Sequence, residues 1–182
     1  MTDKRGRFEA QVLPHLDAAY RFARWLTRSG GEADDLVQEG FLRAFRAFDS
    51  LRGSDVKAWL FSIVRNCHAT AMRQQQRRAF VPLPEEGQEA ESGALPPATA
   101  GDPQRASIEH DERRTLEGLI GSLAPEHREV LLLREIEEMS YREIAAVTQV
   151  PIGTVMSRLA RARAALRAQW QKQARGEPRA VR

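Results

Sequence analysis

The chain has one cysteine, Cys67, in 182 residues, so it forms no disulfide within itself. Its four histidines, His15, His68, His110 and His127, are scattered. No two have the spacing that places metal ligands together on a helix. Cys67 and His68 are neighbours, but helical neighbours point about 100° apart and chelate poorly. Cys67 is expected in the core, and no metal or cofactor is expected. A Gly-rich phosphate loop is also missing, which argues against a hydrolase or metalloenzyme. No apolar run reaches the ~18 residues of a membrane span, and the opening MTDKRGRFEA has no apolar signal region. The expectation is a cytoplasmic protein without membrane insertion. Aromatics make up only 7% and β-branched runs are few, while Ala, Leu, Arg and Glu recur, so the fold class is all-α.

Charge is abundant but unevenly placed. The net value is only +3. From Gly153 onward there are eight Lys/Arg and one acid, Glu177, whereas Glu109 to Glu143 hold ten acids and five arginines. A basic end suits nucleic acid or an acidic partner, and the acidic middle fits a solvated face equally.

Residues 81–103 read VPLPEEGQEAESGALPPATAGDP, with five of the nine prolines, five acids and no base. Such a stretch buries too little apolar area to offset its ordering entropy. It is read as an acidic linker between two small helical domains, 9–80 and 104–172. In the first, helices are predicted near Glu9–Arg28, Glu32–Phe48 and Val56–Arg78. The first presents Val12, Leu16, Ala19, Phe22, Ala23 and Leu26 at helical spacing. In the second domain, helices are predicted near Gln104–Ser122, from Pro125 to about Ile136, from Ser140 to about Val147, and from Pro151 to about Lys172.

The stretch SYREIAAVTQVPIGTVMSRLARARAALR carries the sharpest signal. Ser140 and Glu143 form an S-x-x-E capping box. A turn follows, and Pro151 pre-sets a new helix start. A short capped helix, a tight turn and a basic helix make a helix-turn-helix. In the last helix Val155, Leu159, Ala162, Leu166 and Trp170 share the face predicted to pack inward. Thr154, Ser157, Arg158 and Arg161 lie on or beside the opposite face near its start, where guanidinium and hydroxyl groups can enter a major groove. Gly153 and Ala160 would allow close backbone approach.

The second helix places Val37, Phe41, Ala44, Phe45 and Phe48 on a core stripe. Asp35, Glu39, Arg43 and Arg46 face away, with Leu42 among them and Leu36 beside them. An exposed leucine ringed by charge suits a protein-binding patch, while the same spacing fits a capped surface helix. In the third helix Leu60, Ile63, Val64, Cys67 and Ala71 are predicted buried. Arg65, Met72, Arg73 and Gln76 lean to a basic side that suits DNA or plain solvation, and Asn66 sits on its flank.

Three blocks together, DDLVQEGFLRAFRAFDSLRG, WLFSIVRN and PEHREVLLLREIEEMSYREIAAVTQVPIGTVMSRLARARAALR, resemble an extracytoplasmic-function (ECF) sigma factor of the sigma-70 family. The resemblance implies sigma region 2 in the first domain and region 4 in the second. It implies core RNA polymerase and promoter DNA as partners, and an anti-sigma factor as a frequent further one. Carried over by motif, Asp34, Asp35, Gln38, Glu39, Leu42 and Arg43 meet polymerase. Asp49, Ser50, Leu51, Arg52 and Gly53 form a loop that captures a flipped minus-10 base. Arg65, Asn66, Ala69 and Arg73 hold the opened strand. Arg134, Ser157, Arg158 and Arg161 contact the minus-35 element. Three positions depart from the family pattern: Gln149 stands where a turn glycine is common, Met156 replaces a frequent basic residue, and Ala160 a larger one. The acidic linker would suit a basic polymerase channel. The rival reading is a helix-turn-helix regulator that binds its operator without polymerase.

Overall fold

The computed structural model describes residues 3–27, 29–51, 53, 55–79 and 114–174. The linker 81–103, Arg28, Arg52, and the 104–113 portion of the helix predicted over Gln104–Ser122 lie outside the described residues. Those described are helical with short turns, as the composition implies. Two compact units form, the first holding the described helices before the linker together with residues 142–149, the second the other described residues after it.

The first unit contains α1 (Lys4–Val12), α2 (Leu16–Thr27), α3 (Gly30–Ala47) and α4 (Val56–Ala79). The single helix predicted over Glu9–Arg28 is two. Pro14 supplies no N–H and its ring clashes with the carbonyl four residues back, so Leu13–His15 tightens into a 3-10 turn. Helix α1 also starts earlier than periodicity suggested, because Asp3 Oδ1 accepts from the Arg5 N–H at 3.1 Å and caps it. The break displaces Leu16 from the apolar stripe, and it is exposed.

Val12, Ala19, Ala23, Ala33, Ala44, Leu60 and Val64 are fully enclosed, and Phe22 stacks on Phe61 with centroids 5.0 Å apart. Aromatic pairing of this kind adds about 0.5–1.5 kcal/mol beyond area burial. Helices α3 and α4 meet at Gly40, where a Cβ would stand 3.0 Å from Val64 Cγ2. Asp55 caps α4, its Oδ1 accepting from the Ala58 N–H at 3.0 Å.

Several core assignments change. Leu36, predicted beside the polar face, is buried at 7% exposure, whereas Phe45 is exposed. The cause is rotation of the α3 stripe toward α4: Ala33, Leu36, Val37, Gly40 and Ala44 face inward. Ala71 is exposed and Ile63 half-buried, while Ala58 and Phe61 join the core. Cys67 is buried as expected.

In the second unit, α5 spans 114–121 of the described chain, α6 is Pro125–Glu135 and α8 is Ile152–Ala174. Helix α6 packs on α8. Val130 to Leu133, Val155, Leu159 and Ala162 are buried in this unit, with Leu119, Ile120 and Leu123. Trp170, placed on the inward face by periodicity, is 53% exposed. It lies in a shallow apolar groove with Leu116, Leu119 and Leu166. No described helix is long and apolar enough to cross a membrane.

Replacing Gly40 by Leu forces α3 and α4 apart, at a cost of about 1–3 kcal/mol. In a Trp170→Phe background, Trp25 and Trp59 report the first unit alone. Their urea midpoint is expected to fall with Gly40→Leu and to recover in part when Val64→Ala removes the obstructing methyl. An unchanged midpoint would show that the close approach is not limiting.

Candidate nucleic-acid and partner interfaces

Helix α3 buries its small and aliphatic positions against α4, which turns Asp34, Asp35, Gln38 and Leu42 outward. Leu42 is 53% exposed. Beside it Arg43 Nε donates to Glu39 Oε1 at 2.6 Å, one helical turn back. That ion pair fixes two charged side chains next to an uncovered aliphatic one. Both resemblance-derived assignments and the exposed-patch reading therefore coincide on one face. Arg43 also acts on Cys67: burial pushes the thiol up from its ordinary value, and the Arg43 charge pulls the other way.

The segment after α3 is a short 3-10 turn, Phe48–Ser50. Ser50 Oγ donates to the Ala47 carbonyl at 2.6 Å, and the Leu51 N–H to the Phe48 carbonyl at 3.0 Å. Asp49 and Ser50 are exposed and Leu51 is half-buried. Gly53 has φ of +103°, a conformation that side chains rarely tolerate. Asp49 is not free: its Oδ2 lies 2.8 Å from Lys4 Nζ, and Arg7 Nη2 donates to its Oδ1 at 3.3 Å. The hydrogen bond from Lys4 is the main cause that holds its carboxyl below the ordinary carboxylate range. Periodicity alone does not reveal this pairing, since 42 residues separate Arg7 from Asp49.

On α4, Arg65 and Ala69 are half-buried, while Asn66 and Arg73 are exposed. Arg73 Nε donates to the Ala69 carbonyl at 3.0 Å, and Thr70 Oγ1 donates to the Asn66 carbonyl at 2.8 Å. The face is continuous at i, i+4 spacing through 65, 69 and 73.

The two helices of the predicted helix-turn-helix are present as α7 (Tyr141–Thr148) and α8. Thr148 Oγ1 donates to the Ile144 carbonyl at 2.6 Å. Gln149 then takes φ of +56°. This is the left-handed conformation expected of the family's glycine, at a cost of about 1 kcal/mol for a residue with a Cβ. The Thr154 N–H donates to the Pro151 carbonyl at 2.8 Å and starts α8. The first turns expose Gly153, Met156, Ser157, Ala160 and Arg161, with Thr154 and Arg158 half-buried. Ser157 Oγ donates to the Thr154 carbonyl at 2.9 Å, which leaves its lone pairs outward.

The α8 arginines divide. Arg163 binds Glu135 of α6 at 2.6 Å and joins the two helices. Among the described residues no carboxylate pairs with Arg158 or Arg161. Arg134 is committed differently from a free phosphate contact. Its Nη1 donates to the Met139 carbonyl at 2.8 Å, and its guanidinium lies 5.2 Å from the Tyr141 ring centroid. It braces the chain between α6 and α7, with part of its surface still open.

Comparison with known proteins gives the following. Residues 12–78 match Sigma-70 region 2, and residues 113–166 match Sigma-70 region 4. The chain is 35% identical over 158 residues to the ECF RNA polymerase sigma factor SigE of Mycolicibacterium smegmatis, covering 86% of this chain and 58% of that protein. It therefore spans less than two thirds of that relative's length. It is 36% identical over 140 residues to the ECF RNA polymerase sigma-E factor of Escherichia coli (strain K12), covering 75% of this chain and 72% of that one. Among solved structures, the sigma factor RpoE in complex with the anti-sigma factor NepR from Bartonella quintana is similar. That match has 31% identity and a TM-score of 0.73, over 91% of this chain and 97% of that one. CnrH in complex with the cytosolic domain of CnrY is similar at 27% identity and a TM-score of 0.62, over 93% and 90% of the two chains.

The division among arginines gives an expected outcome. Arg158→Ala and Arg161→Ala should each lower the log–log salt slope of binding to a cognate DNA duplex by roughly 0.9, the loss of one phosphate contact. Arg163→Ala should leave the slope unchanged. Equal slopes for all three variants and the parent would make Arg158 and Arg161 merely solvated.

Proposed function

The chain belongs to the ECF group of the sigma-70 family, and from that premise we propose how its two helical units divide the work of transcription initiation. The first acts as sigma region 2, with residues 9–80 as its bounds. The second acts as region 4, over 104–172, and residues 81–103 connect them. Core RNA polymerase and promoter DNA are the partners. The work is binding rather than catalysis, and it takes place in the cytoplasm.

Polymerase meets the outer face of α3, through Asp34, Asp35, Gln38, Glu39, Leu42 and Arg43. The observation that carries this reading is Leu42, an uncovered aliphatic side chain among fixed charges. A helix that only faced solvent would gain nothing from it. Region 4 docks on the minus-35 duplex with Thr154, Ser157, Arg158 and Arg161. Arg134 supports this surface through the 139–141 backbone and offers its remaining edge to DNA. Gln149, Met156 and Ala160 give it a sequence preference of its own. Met156, exposed beside Ser157, suits an apolar contact with a thymine methyl better than a phosphate.

Region 2 traps the melted minus-10 strand. The segment Asp49, Ser50, Leu51, Arg52 and Gly53 receives one extruded base, and Arg65, Asn66, Ala69 and Arg73 line the path of the strand. Opening costs base stacking, and capture of an unstacked base offsets part of that cost. The acids of 81–103 favour a basic polymerase channel over DNA. The fold matches include a sigma factor solved in complex with an anti-sigma factor, and a protein of that kind is a further partner proposed here.

Leu42→Arg should weaken binding to core polymerase severalfold and leave helix content unchanged, by co-elution and circular dichroism. Parent-like co-elution would remove the patch from the interface and favour a regulator that acts without polymerase.

Shortening the 49–53 loop tests strand capture separately. Core binding and minus-35 duplex binding should persist, while open complexes on linear duplex fail. A premelted bubble should restore part of the transcription, because the stacking cost is removed in advance. Normal permanganate reactivity of thymines on the duplex would exclude the loop and leave the α4 face as the strand-binding element.

A further inference from the structure

The match to sigma region 2 begins at residue 12, so α1, Lys4–Val12, stands almost wholly before it. This helix is nevertheless built onto the end of α3. Phe8 is buried, with its ring edge-on to Phe41, Phe45 and Phe48 at centroid distances of 6.4, 5.2 and 5.4 Å. Lys4 and Arg7 lie on the same side of α1, at the i, i+3, i+4 spacing with Phe8 that makes one helical face. Lys4 Nζ sits 5.1 Å from the Phe45 ring centroid and Arg7 lies 5.6 Å from that of Phe48. Both cations then reach Asp49, each holding a different carboxylate oxygen.

Asp49 presents two physical problems for a loop that receives DNA. Its negative charge repels phosphate, and beyond buried Phe48 its 3-10 turn is held by local bonds to the Ala47 and Phe48 carbonyls. One exposed ion pair would do little for either problem. Two pairs converging on one carboxylate, on cations packed against aromatic rings, form a network with a defined geometry.

We propose that α1 is a clamp on the base-capturing loop, in which Lys4 and Arg7 are positioning residues that fix Asp49 and neutralise its charge toward the incoming strand. This rests on the strand-capture reading above. It differs from direct DNA contact by the two cations, whose charged groups are engaged with Asp49 rather than turned away from it.

The test uses holoenzyme reconstituted from the full chain and core polymerase, on the promoter upstream of its own gene. Each variant is assayed on linear duplex and on a premelted bubble. With Lys4→Gln and Arg7→Gln together, open complexes on duplex should fall roughly threefold to tenfold, with core binding unchanged and partial recovery on the bubble. Asp49→Asn should show a smaller loss, since it releases the turn but also removes the charge, and adding it to the double variant should cost nothing further and recover part of the opening. Exchanging the charges, Lys4→Glu and Arg7→Glu with Asp49→Lys, should restore opening. If the double variant melts early, this exchange decides: failure to restore opening in a folded protein overturns the clamp. Additive losses, or an Asp49→Asn variant that opens better than the parent, would mean that the cations meet DNA themselves, and would also overturn it. A double variant that opens like the parent while the shortened loop fails would discard the clamp and keep strand capture. Normal opening by the shortened loop would discard both.

Discussion

Gly40 allows the backbone of α3 to lie close against Val64 of α4, where an added Cβ would stand 3.0 Å from Val64 Cγ2. What the first unit can present to its partners depends on this approach. Helix α3 carries the charged outer face with Leu42, and α4 carries Arg65, Asn66, Ala69 and Arg73. Their relative rotation is set where they touch. With Gly40 inward, Leu36 and Val37 follow it into the core and Leu42 is driven out. The exposed leucine is thus the geometric complement of the buried glycine on the same helix. The Asp55 cap then starts α4, and with it the face proposed to hold the strand.

Local signals in the sequence made much of this legible. Proline at helix starts, the serine before α7, the basic first turns of α8 and the apolar spacing each act over a few residues, and the elements they predict are present. The bounds of α3, α4, α6, α7 and α8 fall within a few residues of expectation. Periodicity failed where a non-local contact decides the outcome. The stripe on α3 could not show that glycine, rather than Phe45, would face α4. Pro14, whose missing N–H marks a break, and Asp3, a common cap residue, set the bounds of α1 and α2 by signals that apolar periodicity does not register. Trp170 lies on the apolar side of α8 yet is exposed, and the period of one helix does not show which of its turns a neighbour covers.

The candidate interfaces were less legible than the fold. Seven basic side chains at or near these surfaces have distinct duties: Arg43 steadies Glu39, Arg134 braces the chain before α7, Arg163 joins α6 to α8, and Lys4 and Arg7 converge on Asp49, while Arg158 and Arg161 keep their charge outward. Charge counts treat all seven alike. Partners such as Glu135 for Arg163 lie 28 residues away, and no period links them. Family motifs identify which positions to inspect, but the geometry separates those whose charge is already spent within the fold.

The turn before α8 has a consequence for local opening. Gln149 holds a left-handed backbone without the freedom of glycine, which raises the folded state by about 1 kcal/mol at that point. The same amount favours local excursions about fivefold over an unstrained turn. Amides at the start of α8, including those of Thr154 and Val155 that donate to the Pro151 carbonyl, should exchange with solvent ahead of those near Leu159 and Ala162. The end of α8 proposed to read DNA would then open more readily than the half that packs on α6.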